Sequence, residues 1–342
     1  MAVARERLAW VDTGRGVAIA LVAFYHGARW LSRAGFDTEG WQAVNDVLSS
    51  LRMPLFFTLS GLFARKWLHA SWGALFRAKL ALFAWVFCVW EVIGSATFVL
   101  GSASNGRRVS IPDTAHALLW SPLYPKLELW FIWALTLFFI VAKLTRAVNR
   151  WVQLGLAAVL AAVALTLWFD VTTGPTGSAK YYFFFLAGIY LRELVMRLGQ
   201  HGNRMVLVAV FVAWAGVSTA VSLLGLRDIW GVYFVNCVVG VAGGIVLSRF
   251  LSRFSVLGRI GQQTLPIYLA HTPIIIVITF ALSLTPLPEM FGPDLLATPL
   301  VGVAALTTAL LLYAWASKRP LLQYLYVPPL HLLDRTIAVR KP

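Results

Sequence analysis

Charged residues are scarce in this sequence of 342 residues, at 13% of the total, whereas apolar residues make up 59%. A soluble domain would carry about a quarter charged residues. The apolar residues form runs of about twenty, the length that crosses a bilayer as a helix. Only helices and closed barrels satisfy every backbone polar group in lipid, and continuously apolar runs favour helices. The sequence therefore predicts an all-α, polytopic membrane protein.

Cysteine and the common soluble-enzyme motifs are also nearly absent. The two cysteines, Cys88 and Cys237, both fall inside apolar runs, which excludes an exported disulfide framework and a metal cluster. We interpret both as small buried hydrophobic residues. The sequence has no Gly-rich phosphate loop, no zinc-binding spacing and no Gly-x-Ser-x-Gly elbow. We therefore expect no metal.

We predict about ten transmembrane helices in a single integral membrane domain, residues 1–342. The predicted spans are residues 14–33, 44–64, 79–100, 128–146, 151–170, 180–198, 204–224, 229–249, 263–284 and 295–316. The amino-terminal run also resembles a secretory signal peptide. Because Arg15 and His26 flank that run and no small-x-small cleavage site follows it cleanly, we interpret it as a retained first span.

The net charge of +15 could indicate a nucleic-acid-binding protein, but the cations lie in alternate gaps between the predicted spans. The cation-rich termini and gaps hold Arg5, Arg7, Arg65, Lys66, Arg77, Lys79, Lys143, Arg146, Arg150, Arg192, Arg197, Arg204, Arg249, Arg253, Arg259, Lys318, Arg319, Arg335, Arg340 and Lys341. The third-to-fourth gap is an exception, because it holds Arg107, Arg108 and Lys126. The other gaps are poorer in cations or acidic, and they hold Asp37, Glu39, Asp170, Lys180, Arg227, Asp228, Glu289 and Asp294. The positive-inside rule then predicts both termini in the cytoplasm, an inner-membrane location and no nucleic-acid partner.

The first span carries the most informative pair of polar residues, Arg15 and His26. Eleven residues apart, they fall on one stripe of one helix, about 16 Å apart along its axis. Arginine is costly in hydrocarbon and indicates a functional site there. Arg15 either pairs with Asp12 at the interface or faces an anionic ligand at the mouth of a cavity. His26 is either a packing residue or a neutral proton acceptor.

Other polar residues inside the spans are weaker candidates. We expect Pro266 and Pro273 to disturb the ninth span and to free backbone carbonyls, and His271 between them either binds substrate or packs structurally. Arg52 needs a partner at its depth, and Asp46, Glu91 and Glu128 are the available acids. Glu91 or Glu128 could instead orient His26 through its second ring nitrogen, and we favour Glu128.

Four motifs, in order, resemble those of membrane-bound acyltransferase family 3. They are Arg15 and His26 with ten residues between them, Phe56-Phe57-Thr-Leu-Ser60-Gly61-Leu62, Leu129-Trp130-Phe131, and Tyr268-Leu-Ala-His271-Thr-Pro273. The resemblance covers about residues 8–317. The sequence departs from the family pattern after the second helix, where many members carry Arg-x-x-Arg. Here Arg65-Lys66 and Arg77-Ala-Lys79 stand instead.

The resemblance implies transfer of an acyl group, acetyl by default, from cytoplasmic acyl-CoA to a hydroxyl of an envelope carbohydrate or lipid-linked glycan. It implies catalytic roles for His26 and Arg15, to which we add Glu128. The predicted substrate-binding residues are His271, Tyr268, Arg52, Ser60, Trp130 and Glu91. The predicted acyl-CoA-binding residues are Arg65, Lys66, Arg77 and Lys79.

Two other classes of function remain open from the residues alone. A transporter or flippase of a lipid-linked or anionic solute would use the same intramembrane histidine and arginines as a binding path. A structural or sensor protein is disfavoured by the number of buried polar residues in register.

Overall fold

The apolar runs form helices throughout the computed structural model, which describes residues 8–103, 109–125, 128–167, 173–201, 203–290 and 296–329. No strand occurs in those ranges, which confirms the all-α class. Some residues of the topology prediction lie outside them, namely Arg5, Arg7, Arg107, Arg108, Lys126, Asp170, Asp294, Arg335, Arg340 and Lys341.

The helices are numbered in chain order. They are α1 (Ala9–Arg33), α2 (Glu39–Gly61), α3 (Arg65–His69), α4 (Trp72–Leu75), α5 (Ala81–Ala103), α6 (Ile111–Trp120), α7 (Trp130–Leu144), α8 (Arg150–Thr166), α9 (Thr173–Tyr190), α10 (Arg192–Gln200), α11 (Arg204–Leu223), α12 (Val232–Leu251), α13 (Ser255–Gln262), α14 (Thr264–Ser283), α15 (Leu287–Met290) and α16 (Ala297–Ala316). A π-helical turn, Phe76–Leu80, joins α4 to α5.

Each of the ten predicted spans overlaps one of these helices. Among the described residues, five segments are long and apolar enough to cross a membrane: Trp72–Ser102, Arg204–Leu223, Val232–Leu251, Thr264–Ser283 and Ala297–Ala316. Helices α7 and α8 are apolar but shorter. The protein is thus a multi-pass membrane protein, while the count of ten and the orientation of the termini stay predictions.

The sixth predicted span, 180–198, is displaced in the structure. The helix runs over Thr173–Tyr190, and a bend at Leu191 separates it from α10. The extra turns at its start contain glycines that let α9 approach its neighbours closely, Gly174 beside Pro125 and Gly177 beside the ring of Trp130. Small and polar residues in this stretch lower its hydropathy, which explains why the apolar run predicted the wrong start.

Helix α1 lies inside the bundle, in contact with α2, α12, α13, α14 and α16. Its approach to α13 depends on glycine, since a Cβ at Gly16 would meet the backbone of Leu257 and Gly261. A Cβ at Gly261 would meet the backbone of Asp12 in turn. These glycines therefore serve close helix packing, which fixes the part of α1 that carries Arg15.

Lys143, predicted to be a loop cation, is buried at the end of α7, with 2% of its surface exposed. Its ammonium group donates to the carbonyl oxygens of Trp67, Leu68 and Ala70, which follow the start of α3. Carbonyls at a helix end have no partner within the helix, so a cation stabilises them. Lys143 thereby attaches α3 to the bundle.

Pro266 and Pro273 differ in their effect on α14. The helix begins at Thr264, so Pro266 lies in the first turn, where its missing N–H costs nothing. The prediction that Pro266 disturbs the helix is therefore wrong. Pro273 does lie in the helix interior. Its position leaves the carbonyl oxygen four residues earlier, that of Leu269, without a helical donor.

Candidate active site

His26 lies on α1 with its ring buried, 6% of the residue being exposed. Its Nε2 atom is 3.2 Å from Oε2 of Glu128, just before α7. Its Nδ1 atom is buried too, with no hydrogen-bond partner among the described residues. An ionised carboxylate only accepts, so this contact places the hydrogen on Nε2 and the lone pair on Nδ1. Nδ1 is thus the atom of this ring that can take a proton.

His271 lies beside His26, with 5.3 Å between the ring centroids. Its Nδ1 atom is 2.8 Å from the carbonyl oxygen of Tyr268 and 3.1 Å from that of Ile267. Because carbonyls only accept, Nδ1 carries the hydrogen, and Nε2 accepts from the Thr272 hydroxyl at 3.1 Å. Both nitrogens therefore have partners within α14. Substrate binding by His271 stays a prediction, while its contacts show a ring held in place against His26.

Tyr268 connects α14 to the turn that carries Glu128. Its hydroxyl donates to the backbone carbonyl oxygen of Glu128. Its ring packs 5.4 Å from that of Phe131 and 6.0 Å from that of His271. Tyr268 thus bonds the backbone of Glu128 and packs near Phe131 and His271, the residues around the His26–Glu128 pair.

A basic cavity of about 570 Å³ lies between α1, α2, α5, α7 and α14. Arg15, Lys66 and Lys79 line it, and none of its lining residues in the described ranges is acidic. Arg15 donates to the carbonyl oxygen of Leu59 at 3.4 Å, which leaves most of its guanidinium donors for a ligand. The cavity extends to Tyr268, and His26 is not among its lining residues.

Tyr268 also lines a second, small cavity of about 30 Å³, which has room for about one water molecule. Glu91, Glu128 and Thr272 lie in its wall. Glu91 is 3% exposed, and its Oε2 atom has no hydrogen-bond partner among the described residues. Tyr268 therefore lies between the basic cavity and a small acidic cavity. The wall of the small cavity contains Glu128, the residue that pairs with His26.

Arg52 is buried on α2, but the structure gives it no acidic partner among the described residues. Its Nη1 atom donates to Oδ1 of Asn45 at 2.7 Å, and its guanidinium lies 4.4 Å from the ring centroid of Tyr25. Asp46, one of the acids considered for it, pairs instead with Arg227 at 3.1 Å. The expectation of a carboxylate partner for Arg52 is thus wrong, because an amide oxygen and an aromatic face occupy its surroundings.

The remaining predicted site residues divide between cavities and packing. Ser60 lines the basic cavity, and its hydroxyl donates to the carbonyl oxygen of Phe56 at 2.8 Å. Trp130 stacks on Tyr181 at 5.9 Å and lines neither cavity next to Tyr268. Of the predicted acyl-CoA ligands, Lys66 and Lys79 line the basic cavity, Arg77 is exposed on the π-helical turn, and Arg65 lines a different cavity.

Three residues of this constellation were not singled out by the sequence. Asn45 and Tyr25 hold Arg52, and Thr272 donates to His271. Two of them had a local signal, since Tyr25 precedes His26 and Thr272 follows His271 in the chain. Asn45 had a signal from helical spacing, because it lies seven residues, about two turns, before Arg52 on α2.

Comparison with known families settles the class of this arrangement. The family model Acyl_transf_3, described as an acyltransferase domain, matches residues 8–314. This chain belongs to the Acyl_transf_3 family. A curated relative, the inner membrane protein YcfT of Escherichia coli (strain K12), is 22% identical over 360 residues, which cover 95% of this chain and 97% of YcfT. No solved structure matches the chain.

Because the chain belongs to this family, acyl transfer is the reaction class expected of the site. The His26–Glu128 pair and Arg15 all lie within the matched region. No group of three His, Cys, Asp or Glu residues within the described ranges could hold a metal ion. The groups present are a histidine base, carboxylates and cations.

Proposed function

We propose that this protein transfers an acyl group, acetyl by default, from acyl-CoA to a hydroxyl of an envelope carbohydrate or related glycan. The observation that carries the proposal is the state of His26. Nε2 is held by Glu128 at 3.2 Å, while the buried Nδ1 has no partner among the described residues. Family membership supports the reaction class, whereas the donor and acceptor are our inference.

In the proposed reaction, His26 Nδ1 takes the proton of the acceptor hydroxyl as the oxygen attacks the thioester carbonyl carbon. The carbon–sulfur bond breaks, and the departing thiolate takes the proton back from Nδ1. Glu128 stabilises the imidazolium that exists between these two steps. A positioned base of this kind contributes about 10²–10⁴ in rate. A transient acyl-histidine is a second route through the same atom.

The basic cavity supports acyl-CoA as the donor. CoA carries several phosphates, which Arg15, Lys66 and Lys79 would bind at the cavity wall. Its pantetheine arm is thin enough to enter between helices. The cavity extends to Tyr268, whose hydroxyl bonds the backbone of Glu128, so a thioester at that end would lie near the His26–Glu128 pair.

We further propose ten spans, with both termini in the cytoplasm of a cell that has an inner membrane. The alternation of basic gaps supports this orientation. The relative YcfT is an inner membrane protein, which supports the location. The basic cavity would then face the cytoplasm, where acyl-CoA is made, and His26 would lie toward the outer half of the bilayer.

The test is the rate of ester formation by the His26→Ala protein. Purified protein or membranes would receive labelled acetyl-CoA and envelope glycans, and product would be detected by intact-mass analysis. We expect a loss of about 10²–10⁴-fold with normal accumulation of the protein. His116→Ala, at an exposed histidine on α6, is the matched control and should keep full activity.

Full activity of a well-expressed His26→Ala protein would refute the assignment of the base. Binding of the glycan without any covalent product in the wild-type protein would instead indicate the transporter or flippase.

A further inference from the structure

A second basic cavity, of about 450 Å³, lies on the other side of α3 from the proposed donor cavity. It is formed by α3, the turn between α7 and α8, and the junction of α9 with α10. Five arginines line it, together with His69 and one acid, Glu193. These arginines are Arg65, Arg146, Arg150, Arg192 and Arg197. With His69 neutral, the lining has a net charge of +4.

The arginines are not neutralised by the protein. Within the described part of the chain, none of the five forms an ion pair with a carboxylate. Arg146 reaches only the carbonyl oxygen of Leu68, at 3.5 Å, and Arg150 lies over the ring of Trp151, 4.9 Å from its centroid. Like charges collected around one cavity repel each other, so an anion bound there would stabilise the structure. Planar guanidinium groups are suited to the oxygens of a phosphate.

The position of the cavity favours a lipid as the source of the phosphate. Arg150 is the first residue of the apolar helix α8, and Arg192 begins α10, two residues after the last residue of α9, so both lie at the ends of apolar helices. Trp151 and Leu194, in the cavity wall, are 59% and 63% exposed. Tryptophan is typical of the level of the lipid headgroups.

Helix α8 provides a path for an acyl chain from that level. Its residues Val152, Leu156 and Val159 are exposed along one side, the side on which Trp151 also lies. In a membrane protein such a face contacts lipid tails. Cations at the headgroup level beside an apolar helix face are the features by which basic pockets between transmembrane helices bind anionic lipids.

We propose that this arginine cavity binds the phosphate headgroup of an anionic phospholipid. The lipid's phosphate contacts the five arginines that line the cavity, and its acyl chain follows the exposed face of α8. The site is separate from the donor cavity, and its occupant is neither donor nor acceptor of the proposed transfer.

The experiment measures lipid binding to the purified full-length protein by native mass spectrometry. The protein is titrated with phosphatidylglycerol and, separately, with phosphatidylcholine of the same acyl chains. The cavity variant is the double substitution Arg150→Gln and Arg192→Gln. The matched control, Arg204→Gln with Arg253→Gln, removes two exposed arginines that do not line the cavity.

We expect phosphatidylglycerol to bind more tightly than phosphatidylcholine. The cavity variant should weaken phosphatidylglycerol binding about thirtyfold, which corresponds to about 2 kcal/mol, or about 1 kcal/mol for each lost cation. The control pair should change it less than threefold. Thermal unfolding in detergent shows whether each variant is folded, and the lipid preference of the wild-type protein tests the proposal without any variant.

A soluble competitor separates the lipid from a free phosphate compound. Adenosine 3′,5′-bisphosphate, the nucleotide part of CoA, should not displace the bound phosphatidylglycerol. Displacement by the nucleotide would overturn the proposal and assign the arginines to a soluble ligand. Equal binding of the two lipids, or equal losses in the cavity and control variants, would overturn it as well. None of these results bears on whether His26 is the base.

Discussion

Glu128→Gln tests how the structure activates His26. Glutamine keeps the shape and an acceptor oxygen near Nε2, but removes the negative charge that now lies 3.2 Å away. Hydrogen bonds to charged groups contribute about 1.5–3 kcal/mol and neutral ones about 0.5–1.5 kcal/mol. Because the side chain of Glu128 is only 30% exposed, we take the whole difference between the two ranges, about 1–1.5 kcal/mol. The expected result is a rate of acyl transfer about tenfold lower.

The assay is the initial rate of ester formation at saturating acyl donor and acceptor, since the loss should fall on kcat rather than KM. Glu128→Ala should lose more, about 10²-fold, because the Nε2 hydrogen then lacks a partner in a buried site. Glu39→Gln, at an exposed glutamate at the start of α2, controls for loss of a carboxylate and should be neutral. A wild-type rate in Glu128→Gln would show that the charge of Glu128 has no part in the reaction.

Three further outcomes are expected. Lys66→Gln combined with Lys79→Gln should raise the KM for acyl-CoA about tenfold with little change in kcat, because the two cations line the proposed donor cavity but lie away from the base. Gly16→Ala should destabilise the protein by about 1–3 kcal/mol in thermal unfolding, since its Cβ would meet the backbone of α13; Gly216→Ala on α11, with open space around it, should be neutral or stabilising. Tyr268→Ala should raise the rate of acyl-CoA hydrolysis relative to the rate of acyl transfer. An unchanged ratio of these two rates would show that the ring of Tyr268 does not separate the two cavities.

Much of the helical fold could be predicted from hydropathy, because each apolar run of about twenty residues has one stable form in lipid. What hydropathy missed lay in stretches where small residues replace large apolar ones. The start of α9, with Gly174 and Gly177, is such a stretch, since its glycines pack against Pro125 and the ring of Trp130 rather than face lipid. Lys143 is another exception, because its partners are carbonyls of a helix far away in the sequence.

The candidate site was predictable where its members share a helix. Arg15 and His26 follow from spacing on α1, and Thr272 is bonded to its neighbour His271. Pairs that join different helices were not fixed by the sequence, which left both Glu91 and Glu128 open as partners of His26, with Glu128 favoured. The structure brings Glu128 to Nε2 and leaves Glu91 in the small cavity without a partner for Oε2.

The separation of the base from the donor cavity has a chemical consequence for a thioester enzyme. A histidine exposed to a wide, basic, solvent-filled cavity would activate water as readily as an alcohol, and acyl-CoA would be hydrolysed. Here His26 is buried and lines no part of that cavity, whereas Tyr268 does line it. The ring of Tyr268 lies 6.0 Å from that of His271, which lies 5.3 Å from that of His26, so water that follows this path from the donor cavity meets a tyrosine ring before it meets the base. Under the proposed mechanism, the alcohol acceptor displaces the ring of Tyr268 as it binds, so the site is complete only when an alcohol is present. The burial of His26 that protects the thioester from water then also makes the enzyme prefer transfer to hydrolysis.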